Sequence, residues 1–517
     1  MKPNIVYIYA DDLGRGMLSC YGQKHFQTPN IDRLAAEGRQ LMNAYGCAVC
    51  APARASLLTG YHDCHAGRWS FNKAGIYKEL STGGRSYEAI RELINNTGFN
   101  ERADEVFLAD IARSAGLVTG QIGKLDWGFA ETPERLARHG WDYHFGYYDH
   151  ERCHGFYPPF LWENGEMVRI PGNVHADCGV TYMEETPDNR RRSETRGGKV
   201  VYSQDLFNDK IEQFIRAHKD RPFFLYHPSQ LPHGPTAVPE IHPGVREVTA
   251  LTRWEKEYAS MVLRLDDTVG LIYRTLEELG LLEKTMIIFS ADNGHEPSYY
   301  CEAGRCSGSR KTLDGRLIDN IDLNYTSELS GDIFDGNNGM SGCKLNSLEG
   351  GVRIPYLVRF PGIARPGTRC DHLIANYDTM ATIAEWLGVG MPGWKDSLSF
   401  LPVLRGEAQP PHDFVVFAGN VGPALVTADG WKVRYLTPVR RFQLFYLPND
   451  YREEKNLAAD APEKLRELAT KLLKACDGNM YHGTWECHKA VRVDELLAGS
   501  GPENAFPESH RWIGNRK

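Results

Sequence analysis

The strongest constraint on the fold is a set of short, nearly uninterrupted apolar runs spread through the chain. "NIVYIYA" (4–10), "LVTGQIG" (117–123), "PFFLYH" (222–227), "TMIIFSA" (285–291) and "IPYLVRF" (354–360) lack the polar–apolar alternation of a half-exposed strand. Strands covered on both faces read this way, as in parallel sheets held between helical layers. Helical patterns separate the runs. Within "EKEYASMVLRLDDTVGLIYRTLEELG", Tyr258, Met261, Leu265, Val269, Ile272 and Leu276 recur every three or four residues and predict one buried stripe, with Gly280 as its stop. The expected class is α/β, a large and mainly parallel sheet sandwiched by helices over residues 1–400. In such sheets ligands collect at the carboxyl ends of the strands.

Past about residue 400 the texture changes. "HDFVVFAG", "PALVTADGWKVRYL" and "FQLFYL" read as short strands joined by turns, and "PEKLRELATKLLKACDG" as a closing amphipathic helix. Residues 401–517 are therefore expected to form a smaller α+β domain with an antiparallel sheet. Two long polar segments, 184–199 and 295–343, have the length of functional lids or disordered connections. A net charge of −8 over 517 residues gives no footprint for nucleic acid. No apolar run approaches the ~20 residues of a membrane span, and "IVYIYA" is too short for the apolar core of a signal peptide. The sequence as written predicts no membrane association and a cytoplasmic location, or a periplasmic or secreted one if a leader has been removed. Twelve cysteines are too sparse for a disulfide scaffold and read mainly as small buried residues.

The strand ends carry the chemistry. The first run leads directly into Asp11 and Asp12, and the run at 285–291 into Asp292, Asn293 and Gly294. Adjacent carboxylates at the tip of a buried strand repel, and a hard cation is the simplest way to hold them. Three carboxylates and an amide oxygen suit calcium or magnesium better than zinc. The competing reading is a capping pair and a plain turn, the ordinary uses of Asp, Asn and Gly. In "GCAVCAPARASLLTG", Cys47 and Cys50 have redox-pair spacing and would also serve as half of a zinc site. The other close pair, Cys301 and Cys306, has a different spacing, and a plain buried pair is the simpler reading. What distinguishes Cys50 is the sequence that follows it.

Cys50, Pro52, Arg54, Thr59 and Gly60 resemble the signature of the type I sulfatases, C-x-P-S-R followed by Thr-Gly, whose cysteine is oxidised after translation to formylglycine. The resemblance continues in the family's order through Asp11–Asp12, "GKLDWG" (123–128), "LPHGPTAVP" (231–239), "ADNG" (291–294) and "GCKLNSLEGGVRIP" (342–355). The stretch "GWDYHFGYYDHERCHGFYPPFLWENGE" is similar to the arylsulfatase A type branch. The resemblance implies the alkaline phosphatase and sulfatase fold with a small C-terminal domain. It implies hydrolysis of a sulfate monoester, carried on a carbohydrate, to alcohol and inorganic sulfate. The partners implied are a sulfated small molecule or glycan and a formylglycine-generating maturation enzyme.

By this resemblance Asp11, Asp12, Asp292 and Asn293 would bind calcium, with magnesium as the alternative, together with residue 50. One hydroxyl of the hydrated aldehyde would attack sulfur, and loss of a proton from the other would release sulfate without water having to attack sulfur. Arg54 would hold the hydrate. Lys124, His233 and Lys344 would surround the sulfate, with His233 or Lys344 protonating the leaving oxygen. Two departures stand out. The family's G-K-W-H-L-G, whose histidine is assigned to the release step, reads "GKLDWG" here and puts Asp126 at that position, and Ala53 replaces the usual serine of the maturation signature. A carboxylate at 126 would act as base if burial raised its pKa. His65, Arg68, His154 and His295 are candidate substrate contacts, each balanced against an ordinary surface role. The alternatives are a phosphonate monoester or phosphodiester hydrolase using the same formylglycine, and a non-catalytic protein that binds sulfated glycans through an unmodified pocket.

Overall fold

Ten strands form one sheet: β1 (Asn4–Ala10), β2 (Arg39–Tyr45), β3 (Val118–Gly123), β4 (Tyr143–Gly146), β5 (Phe160–Glu163), β6 (Glu166–Arg169), β7 (Phe223–Pro228), β8 (Thr285–Ala291), β9 (Tyr356–Arg359) and β10 (Thr368–Ala375). The computed structural model describes residues 3–65, 76–95, 102, 104–125, 131–150, 152–179, 195–297, 312–316 and 326–480. The strand order is β10-β2-β9-β8-β1-β7-β3-β4-β5-β6. Its centre, β8-β1-β7-β3-β4, is parallel throughout. All five apolar runs are strands. β9 nevertheless runs antiparallel to both neighbours, β8 and β2, because covering on two faces says nothing about direction.

Every residue of β1, β3, β7 and β8 is buried, which explains why their sequences carry no polar face. The helix Arg253–Glu278 places Tyr258, Met261, Leu265, Val269, Ile272 and Leu276 in the core. It starts on a capping box: Thr252 Oγ1 accepts from the Glu255 amide at 3.4 Å, and the Glu255 carboxylate accepts from the Thr252 amide at 2.7 Å. It ends at Glu278, two residues before Gly280, which adopts φ +65°.

A second, four-stranded antiparallel sheet follows in sequence: β11 (Phe414–Phe417), β12 (Ala424–Thr427), β13 (Trp431–Leu436) and β14 (Arg441–Tyr446). The helix Pro462–Ala475 packs Leu468, Ala469 and Leu472 onto Leu425, Val433 and Leu444. The two sheets share a core, in which Tyr45, Leu373 and Ala375 meet Val415, Phe417 and Val426, and Tyr45 stacks on Phe417 at 5.6 Å. Among the described residues, no helix is long and apolar enough to cross a membrane.

Candidate active site

The five central parallel strands all end at one place. β1 and β8 are in register as far as Ala10 beside Ala291, so Asp11–Asp12 and Asp292–Asn293 emerge side by side, all fully buried. Asp292 Oδ1 accepts from the Asp12 amide at 3.0 Å and from the Asn293 amide at 2.9 Å. Lys124 follows β3 directly, and its Nζ donates to Asp11 Oδ2 at 2.5 Å. The loop after β7 brings His233, whose Nε2 lies 3.3 Å from Asp12 Oδ2. The turn after β4 brings His150 and His154. Gln230 ties those last two loops together by donating to the carbonyls of Cys153 and, at 2.9 Å, Gly155.

Two glycines let the remaining segments close in. A Cβ at Gly46 would lie 2.3 Å from the Asp292 carbonyl oxygen, so only glycine lets the chain entering the Cys50 helix pass this near to β8. A Cβ at Gly294 would lie 1.7 Å from the carbonyl oxygen of Gly350, in the segment that carries Lys344. Lys344 Nζ donates to Asp12 Oδ2 at 2.7 Å and to His233 Nε2 at 2.8 Å.

Cys50 is the first residue of the helix Cys50–Thr59, and Pro52 sits in the first turn, where an absent N–H costs nothing. Gly60 closes the helix in the left-handed region at φ +72°. The helix is buried at every position but Pro52, so its positive N-terminal end points residue 50 into the cluster. The Cys50 sulfur and carboxylate oxygens of Asp11 and Asp292 all lie within 4.8 Å of one another. One turn on, Arg54 Nη2 donates to Asp292 Oδ2 at 3.0 Å and lies 3.7 Å from Asp11 Oδ1. Its Nε and Nη1 are buried with no hydrogen-bond partner.

Charge in this site is unevenly settled. Burial alone would raise the Asp11 carboxyl, yet Lys124, His233, Arg54 and Lys344 together hold it well below the usual carboxylate range. Asp292 goes the other way, pushed up by burial and then by repulsion from Asp11. Burial opposes the charge on Lys124 and Lys344, but Asp11 and Asp12 respectively keep both firmly protonated. Burial pushes His150, His154 and His233 down, leaving three neutral imidazoles. It also raises Cys50, so the unmodified side chain is a neutral thiol and a poor nucleophile.

The donor set fits a hard divalent cation. Asp11 Oδ1 and Asn293 Oδ1 are fully buried and make no hydrogen bond, a state that costs roughly 1–3 kcal/mol per group when nothing else satisfies it. Carboxylate and amide oxygens converging from two strand tips are ligands of the calcium or magnesium type.

Of the residues singled out in the sequence, Asp11, Asp12, Cys50, Arg54, Lys124, His154, His233, Asp292, Asn293 and Lys344 come together here. His154 Nε2 lies 2.9 Å from Lys124 Nζ, and its ring stacks on His233 at 3.8 Å. Asp126 and Arg68 lie outside the described residues. His295 is fully buried, its Nδ1 3.1 Å from the Tyr258 hydroxyl and its Nε2 3.5 Å from Asp332, so its side chain is committed to packing behind the site. His65 is not among the cluster. Its two ring nitrogens lie 2.9 Å from Asp396 and 3.0 Å from Asp477. Two neighbours escape a sequence reading: His150, within 4.8 Å of the Cys50 sulfur, and Glu296, 3.6 Å from Lys344. The "DHERCH" stretch holds two histidines four apart, and that spacing was the available signal.

A sequence profile of the sulfatase family matches residues 3–389. The chain is 30% identical over 532 residues to an N-acetylgalactosamine-6-O-sulfatase of Bacteroides thetaiotaomicron, a match covering 91% of this chain and 92% of that protein. It is 29% identical over 425 residues to human arylsulfatase A, covering 80% and 70%. A solved sulfatase structure from work on glycosaminoglycan metabolism in Bacteroides thetaiotaomicron superposes with a TM-score of 0.67 at 26% identity, covering 92% of this chain and 99% of that one. The phosphonate monoester hydrolase of Agrobacterium radiobacter, at 18% identity and a TM-score of 0.56 over 92% of this chain and 95% of that one, shares the fold. With the paired aspartates, the buried cysteine and the lysines assembled at the strand ends, the chain belongs to the sulfatase family and is a hydrolase of sulfate esters.

Proposed function

We propose that the protein hydrolyses sulfate monoesters on a carbohydrate, with a formylglycine hydrate derived from Cys50 as nucleophile and calcium held by Asp11, Asp12, Asp292 and Asn293. The observation that carries this reading is the Cys50 sulfur within 4.8 Å of the Asp11 and Asp292 carboxylates, with Arg54 reaching both acids. The aldehyde hydrate would supply a hydroxyl nucleophile and a second hydroxyl through which sulfate is released. Calcium would lower the pKa of the attacking hydroxyl and draw charge from the sulfate oxygens.

The chain's own residues do the rest. Arg54 keeps two unfilled donors beside position 50 and orients its oxygens. Lys124 and Lys344, both charged, flank the pocket and stabilise negative charge on the ester. His233 Nδ1 lies 2.5 Å from its neighbour's carbonyl, Gly234 O, and its Nε2 takes a hydrogen bond from Lys344. Lys344 therefore carries the proton for the leaving alcohol, and His233 aims it.

The carbohydrate assignment rests on the N-acetylgalactosamine-6-O-sulfatase relative and the glycosaminoglycan-metabolism structure. A screen of defined sulfated sugars, read by sulfate release from protein co-expressed with a formylglycine-generating enzyme, tests it. Release from at least one sulfated sugar is expected; release from simple aryl sulfates alone would contradict it. A sulfated and a phosphorylated phenol under matched conditions test the reacting centre, and a clear preference for phosphorus would favour the phosphonate or phosphodiester alternative. Binding of sulfated glycans with no sulfate release from any ester would favour the non-catalytic alternative.

A further inference from the structure

An ammonium carries three N–H donors and no lone pair, so an imidazole nitrogen facing it must accept, and binding two of the donors sets where the third points. Lys124 Nζ donates to Asp11 Oδ2 at 2.5 Å and to His154 Nε2 at 2.9 Å. Lys344 Nζ repeats the arrangement, with Asp12 Oδ2 at 2.7 Å and His233 Nε2 at 2.8 Å. One carboxylate and one imidazole hold each lysine. The two imidazoles are themselves joined. β4 and β7 are the neighbours of β3, the strand that delivers Lys124, and the loops that follow them bring His154 and His233 into a stack at 3.8 Å with ring planes 8° apart. Gln230, from the same loop as His233, donates to the carbonyls of Cys153 and Gly155 on either side of His154. His150 stands edge-on to the His154 ring, with centroids 4.8 Å apart. The His154 ring is thus held in place on one face, along one edge and through its backbone.

We propose that His154 is a positioning residue for sulfate transfer: it aims the third N–H of Lys124 at a sulfate oxygen that stays on sulfur, as His233 aims that of Lys344 at the oxygen that leaves. The inference rests on the roles given above to the two lysines. His154 acts through Lys124, and no proton passes through its ring. The two braces differ in what they feel. Charge on the oxygens that stay on sulfur is nearly the same whatever alcohol is expelled, whereas the leaving oxygen needs its proton more as the pKa of the alcohol rises. A fault in the Lys124 brace is therefore independent of the leaving group, and a fault in the Lys344 brace is not.

The test uses full-length protein whose conversion at residue 50 has been verified by the mass of its tryptic peptide, with a series of aryl sulfates whose phenols differ in pKa. His154→Phe keeps a ring for the stack and loses the acceptor. It is expected to lower kcat/KM about 10–10²-fold, by the same factor along the whole series. His154→Gln, whose amide oxygen accepts in place of the ring nitrogen, is expected to recover most of that loss. Added to Lys124→Met, His154→Phe should cost nothing further; added to Lys344→Met, it should keep its full cost. A merely structural role would add to both. If His154→Phe melts well below wild type, His154→Ala takes its place in the same pair of double variants. An undiminished rate in His154→Phe overturns the proposal. So does a loss that grows with the pKa of the phenol, a His154→Gln as slow as His154→Phe, or full additivity with Lys124→Met. Converted wild type that releases phenol from none of the series overturns the sulfate-transfer reading beneath it.

Discussion

Two histidine clusters in this molecule meet partners of opposite charge, and their electrostatic outcomes part at His65. At the strand ends, His150, His154 and His233 crowd against Lys124 and Lys344, and burial leaves all three neutral. On the loop beyond the Cys50 helix, His62 and His65 stack at 4.0 Å, and His65 lies between the carboxylates of Asp396 and Asp477. Burial opposes the charge on His65, but those two acids raise it to about 9, while burial pushes the stacked His62 down to about 4. One cluster sets two charged lysines and unsatisfied buried oxygens beside position 50. The other fills both ring nitrogens of His65 with carboxylates and ties the loop at 65 to residue 477. Burial desolvates both; the partner decides whether the outcome is a reagent or a strut.

Removing the divalent ion should separate the two most sharply. A chelator is expected to abolish sulfate release and to lower the melting temperature. For an ion present at a hundred times its dissociation constant, the stability lost is about 2.7 kcal/mol. Unchanged activity in excess chelator would remove the cation from the account. Next in size, Lys344→Met should lower kcat/KM by about 10²–10³-fold, because it takes a charge from the ester and a proton from the leaving oxygen. A change confined to KM would show that Lys344 only binds.

The smallest effect belongs to the strut. His65→Gln should cost about 2 kcal/mol of stability near pH 6. Because the folded pKa of His65 is raised, its contribution is complete below the unfolded value of about 6.5 and is lost as pH rises through about 9. Melting curves of variant and wild type should therefore converge at alkaline pH; a gap that widens there would contradict the ion-pair assignment.

The same contrast shows what the sequence could carry. β1 and β8 were legible to the residue because complete burial leaves an unmistakable apolar run, and their aspartates follow without a gap. β2 and β10 were not, since "RQLMNAY" and "TRCDHLIA" mix polar and apolar residues, and β10 is half exposed along its first five positions. Cys50, Arg54, Lys124, His233 and Lys344 were found through ordered motifs. His65 and His154 looked alike in one dimension, each a histidine near a cysteine. Only the fold separates them, because the partners that settle their charge lie far away in sequence: Asp477 for one, Lys124 and His233 for the other. His150 needed the parallel neighbour relation of β3 and β4 to bring it beside Lys124.

The central claim, that an oxidised residue 50 and a divalent ion meet at the ends of β1 and β8, is tested most directly by a crystal structure of maturation-competent protein grown with calcium. The account predicts one metal peak ligated by Asp11, Asp12, Asp292 and Asn293, with the oxygen of a converted residue 50 completing the shell. A peak bound elsewhere, or an unconverted thiol turned away from these acids in catalytically active protein, would contradict it.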